Sequence, residues 1–124
     1  MTVIAPSDAN RFSMHGAEFL GLASPSRGTK ENAVWRVRLP PATPGVSHRL
    51  TREEIFVALQ GSAEVTLAGA RFAFPAGAAL IVPADTDFAL TTPEGEAFEA
   101  IVILPVGGAA QIGDGEPFTP PWAL

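Results

Sequence analysis

No stretch of eleven or more residues in this chain keeps a helical period without a glycine or proline breaking it. Twelve Gly and twelve Pro among 124 residues impose turns at short intervals, and a chain punctuated that often builds short strands rather than long helices. The runs between the breaks are β-prone. Residues 17–23 read as a first strand. Residues 33–39 alternate, with Trp35, Val37 and Leu39 on one face and Val34, Arg36 and Arg38 on the other. Residues 53–59 and 63–67 read as two strands of a hairpin across Gly61. Ala68-Gly69 then turns into 71–74, and Pro75-Ala-Gly77 precedes strands over 79–82, 87–91 and 97–104. Short strands at regular spacing predict an all-β, antiparallel fold, a sandwich, barrel or jelly roll.

The chain is long enough for one domain with a core of its own. The expected division is an N-terminal arm over 1–15, a barrel over 16–106 and a tail over 107–124. Two aromatics in that tail, Phe118 and Trp122, are expected to pin it to the barrel or to a partner subunit. A hydrophobic fraction of 47% is too apolar for disorder. The formal charge of −5 leaves no basic stripe to neutralise phosphates, so nucleic acid is not an expected partner. Without cysteine there is no disulfide and no thiolate chemistry, which fits a reducing compartment. The first residues carry neither the basic nor the apolar segment of a signal peptide. No apolar run reaches the roughly 18–20 residues of a membrane span. A cytoplasmic protein without membrane contact is expected.

Two punctuated stretches carry the chemistry. In the first, Gly45 is followed by His48, Leu50, Glu54 and Gly61. In the second, Gly69 is followed by Pro75, Gly77, the run Ile81-Val-Pro83-Ala84, and Phe88. Type and spacing resemble the paired motifs of the cupin family, across about the middle third of the chain. The resemblance implies a double-stranded β-helix, here a small single-domain barrel, and commonly a homodimer. It also implies a metal site of three histidines and one glutamate. His48 and Glu54 match two of those positions, whereas Leu50 and Phe88 stand where histidines belong. Neither replacement has a lone pair to give a metal. With His15 and His48 the only histidines, the three-His site cannot form within one subunit. No cofactor is therefore expected; a divalent metal (Zn, Fe, Mn or Ni), if bound, would sit on His48 and Glu54.

His48 and Glu54 are the candidate catalytic pair, an acid/base couple in which an opposed carboxylate would raise the imidazole pKa. Against this stands a purely architectural hydrogen-bonded pair inherited with the fold. Leu50, Phe56 and Phe88 are candidate pocket walls. Arg36 and Arg38 would grip a carboxylate or phosphate if their face looks inward; if Trp35 and its neighbours take the core, both face water or a partner. His15, in a polar stretch, reads as solvated. Glu53 reads as a surface charge, and Asp85 and Asp87 as turn residues. Trp35, Phe56, Phe72, Phe74, Phe88 and Phe98 read mostly as core. Three functions remain open. One is a barrel that binds a small, partly apolar molecule without metal. Another is an isomerase, lyase or oxygenase working through His48 and Glu54. The last is a dimerisation scaffold.

Overall fold

The computed structural model describes residues 2–124, and its regular elements are eleven strands and three short 3-10 turns. The strands are β1 (Asn10–Met14), β2 (Ala17–Ala23), β3 (Asn32–Leu39), β4 (Arg49–Leu50), β5 (Glu54–Gln60) and β6 (Ser62–Leu67). They continue as β7 (Ala70–Pro75), β8 (Ala79–Val82), β9 (Phe88–Thr91), β10 (Phe98–Pro105) and β11 (Ala110–Gln111). Six form one sheet in the order β1-β2-β3-β10-β5-β8, three form a second in the order β7-β6-β9, and β11 pairs with β4. Every pairing is antiparallel.

Period-two alternation makes the core. On β3, Ala33, Trp35, Val37 and Leu39 are buried. On β10 the same holds for Phe98, Ala100, Val102 and Leu104. One buried cluster draws on both larger sheets, since it also contains Ala63 and Phe74 from β6 and β7. Each fully buried Phe, Leu or Val stabilises the fold by about 1.5–3 kcal/mol relative to exposure. Phe72 departs from the expected core set: it shares the face of Phe74 and stands opposite the buried Val65, yet it lies 50% exposed on β7, an edge strand of its sheet.

The hairpin expected across Gly61 does not form. β5 pairs with β8 and β10, while β6 pairs with β7 and β9, so at Gly61 the chain leaves one sheet and enters the other. Gly61 has φ +76°, and a Cβ there would stand 2.0 Å from the carbonyl oxygen of Ala97. Only glycine lets the two backbones pass so closely. A true hairpin joins β6 to β7, where Ala68 and Gly69 both take positive φ, as a two-residue type I′ turn requires.

The first fifteen residues are not merely an arm. Within them β1 pairs with β2 from Asn10 opposite Gly21 to Met14 opposite Ala17, through a His15-Gly16 turn with positive φ at both residues. The signal was Phe12 and Met14 alternating with Arg11 and Ser13. His15, where Asn or Asp usually opens such a turn, hid it.

Candidate functional site

The inner face of the large sheet borders a cavity of about 160 Å3. Strand alternation decides its walls: Trp35, Val37 and Leu39 from β3, Phe56 from β5 and Phe19 from β2. The tail closes one side. Trp122 stacks face to face on Phe19 with ring centroids 3.6 Å apart and planes 3° apart, and meets Trp35 edge-on at 6.3 Å. Phe118 and Pro120 join it on the lining. The expected pinning of the tail is thus made within the chain.

Glu54 opens β5 and points inward with Phe56 and Ala58, while Glu53, one residue earlier, is exposed. Glu54 is only 4% exposed, lines the cavity, and its Oε1 has no hydrogen-bond partner. Burial pushes its pKa up to about 8, so at neutral pH the carboxyl holds its proton and offers one donor and one acceptor. Trp122 Nε1 is likewise buried without a partner. An unpartnered buried polar group costs about 1–3 kcal/mol, so two of them on one cavity need a physical reason.

His48 sits just before β4, tied to β9 by paired backbone bonds with Phe88 at 3.0 and 2.9 Å. Its Nδ1 donates to the Val46 carbonyl at 2.8 Å, which leaves Nε2 as the acceptor of the neutral ring. Burial lowers its pKa, against the raising effects of the Val46 carbonyl and Asp87; His15 adds to the lowering. This corrects the expected rise. The carboxyl that was to raise it is neutral, and no hydrogen bond or ion pair joins His48 to Glu54 among the described residues.

Of the expected pocket residues, Leu50 and Phe56 line the cavity and Phe88 does not. Phe88 is 1% exposed and packs between the His48 ring at 4.4 Å and the Phe56 ring at 5.8 Å, as core beneath the site. Arg36 and Arg38 lie on the outer face of β3, opposite the buried Trp35, Val37 and Leu39. There Arg36 pairs with Glu99 at 2.8 Å. Neither arginine reaches the cavity. Asp85 and Asp87 are exposed, and Asp87 accepts a bond from Arg49. His15 is exposed, as expected, and the β1–β2 turn also carries it to the cavity rim. Phe19 and Trp122 are the lining residues that strand reading missed as a pair, since their contact joins the two ends of the chain.

The model of a family described as "Cupin domain" matches residues 35–104, more than half of the chain. The chain belongs to the cupin family. Solved structures share this cupin's fold at low identity. The polyketide cyclase RemF from Streptomyces resistomycificus is 17% identical with a TM-score of 0.77, over 85% of this chain and 79% of that one. An RmlC-like cupin from Shewanella frigidimarina is 14% identical with a TM-score of 0.73, over 85% and 90%. A sugar phosphate isomerase of the cupin superfamily from Silicibacter pomeroyi is 15% identical with a TM-score of 0.71, over 92% and 83%. No curated protein matches the sequence.

The residues present do not fit the metal centre that the cupin motifs imply. Leu50 and Phe88 occupy two ligand positions with no lone pair to give, and the only other histidine lies at the rim. Among the described residues no three His, Cys, Asp or Glu side chains converge. No helix among the described residues is long and apolar enough to cross a membrane.

Proposed function

We propose that this cupin is a metal-independent barrel that binds a small, partly apolar molecule in the cavity beneath its C-terminal tail. One observation carries the reading: the cavity keeps an unpartnered, protonated Glu54 inside aromatic walls. A barrel retained only for its architecture would gain by filling that space. The test is a thermal-shift screen of ring-sized fragments against the wild type and Ala110→Leu, which fills the cavity from β11. Fragments should raise the wild-type melting temperature and leave the variant unmoved. Equal shifts in both would refute the cavity as the site. Elemental analysis of untagged protein should find no stoichiometric Zn, Fe, Mn or Ni; near-stoichiometric metal lost in His48→Ala and Glu54→Ala would overturn metal independence.

An isomerase or lyase is the second reading, favoured by a protonated carboxyl and a free imidazole Nε2 on one cavity. Glu54 would give a proton and His48 take one. Under it, His48→Gln and Glu54→Gln would abolish turnover and keep ligand binding.

The same proposal includes a homodimer, through the outer face of the six-stranded sheet rather than the tail, which is already used internally. Register aligns Val34, Ile103, Ile55 and Ile81 across that face, and Ile101 with Val57 in the next row. Ile81 is 59% and Val57 36% exposed. A solvated sheet face is ordinarily polar, and this one is apolar across four strands. Glu18, Arg38 and Glu99 flank it in one row, with Arg36 and Arg11 adjacent, a mixture of signs that a two-fold copy can complement.

A further inference from the structure

We infer that the cavity ligand is uncharged: a single ring, aromatic or alicyclic, bearing a carbonyl or hydroxyl oxygen. The inference rests on the binding reading above and adds the ligand's charge, size and polar pattern.

Size comes first. An apolar cavity of ~150 Å3 accommodates a benzene-sized guest, and this one, at about 160 Å3, takes a ring with a few substituent atoms. Its walls suit a flat guest. Trp35, Phe19, Trp122, Phe56 and Phe118 present aromatic surface from the sheet and the tail, where faces and edges stack at low entropic cost.

Charge follows from what the lining lacks. No Lys or Arg lines the cavity, and Arg36 and Arg38 of β3 lie on the other face of the sheet. A carboxylate or phosphate would enter apolar surroundings with no cation to meet it. The titratable groups on the lining are Glu54, His48 and His15 alone. A cationic guest would have to strip the proton from Glu54 and bury both charges, and that desolvation consumes the gain of pairing. It would also leave the Trp122 Nε1–H unmet, because a cation is no acceptor.

An oxygen acceptor on a neutral ring fits the side-chain polar atoms that have no partner, since the Thr43 hydroxyl on the lining already donates to the Pro40 carbonyl. Trp122 Nε1 is a donor only, protonated Glu54 is a donor and an acceptor, and His48 offers Nε2 as an acceptor after Nδ1 is committed to Val46. A carbonyl takes the proton of either donor. A hydroxyl does so and can also donate to Nε2 or to the carboxyl.

The experiment compares three probes of one size by isothermal titration and thermal shift at pH 6.5: acetophenone, benzoate and benzylamine. Acetophenone should bind, with benzoate and benzylammonium at least tenfold weaker. Trp122→Phe, which keeps the stacking and removes the N–H, should weaken acetophenone several-fold. Glu54→Gln, whose amide still donates, should hold it near the wild-type affinity, and Glu54→Leu should not. If benzoate or benzylamine binds as well as acetophenone, the charge assignment is overturned while the barrel still binds small molecules. Silence from all three probes overturns both readings together.

Discussion

Glu54 and Glu53 are neighbours in sequence and opposites in environment, since one step along a strand turns the side chain from solvent into the barrel. Burial raises the pKa of Glu54 from 4.5 to about 8. With the folded value above the unfolded one, its contribution to stability is fully present below about pH 4.5 and is lost as pH rises through about 8. The whole loss is roughly 3–5 kcal/mol, at about 1.4 kcal/mol for each pH unit of difference. Urea unfolding at pH 5 and pH 9 should show it in the wild type and much less of it in Glu54→Gln. His48 works in the other direction: its lowered pKa means that the unfolded chain takes up the proton first as pH falls below 6.5. Nitrogen NMR should find the ring neutral at pH 7 with Nδ1 protonated, titrating below 6.5. A charged ring at pH 7 would contradict the burial and the Val46 bond.

At the scale of elements, the crossing between β5 and β6 depends on Gly61. Gly61→Ala places a methyl against the Ala97 carbonyl at positive φ and should cost at least ~2 kcal/mol, since the left-handed conformation alone costs about 1–2 kcal/mol. Gly69→Ala is the control: its φ is also positive, yet nothing lies within 4 Å of the added Cβ, so only the conformational cost should appear. Denaturant midpoints of the two variants measure the difference. The tail is the other decisive element. Trp122 is 7% exposed against Phe12, Phe19 and Trp35, so Trp122→Ala should destabilise by about 3–5 kcal/mol and open the cavity to solvent. Dye binding to exposed apolar surface at equal folded fraction would report that opening.

For the whole molecule, light scattering should return a dimer for the wild type, and Ile81→Lys with Ile103→Lys should return a monomer that keeps its cavity ligand. Loss of ligand in a folded monomer would instead place the site under control of the interface. The motif positions, the strands and the inward set of β3 were legible because period-two alternation and turn residues act locally. Glu54 against Glu53 was legible for the same reason. Less visible were the first strand, hidden by an unusual turn residue, and the sheet to which each strand belongs. Alternation fixes a strand's faces and says nothing of its partners, which is why the run across Gly61 resembled a hairpin.

The sequence by itself determined that this chain is a small antiparallel β-fold, that its motifs are those of a cupin, and that two metal ligands are missing, because each of these is carried by residue type at short spacing. The tertiary structure alone decided that Trp122 closes a cavity against Phe19, that Phe88 supports His48 from below without lining that cavity, that both arginines face outward, and that Glu54 is neutral and without a partner. Those properties come from contacts between distant segments, and from the water those contacts exclude, which no local pattern encodes.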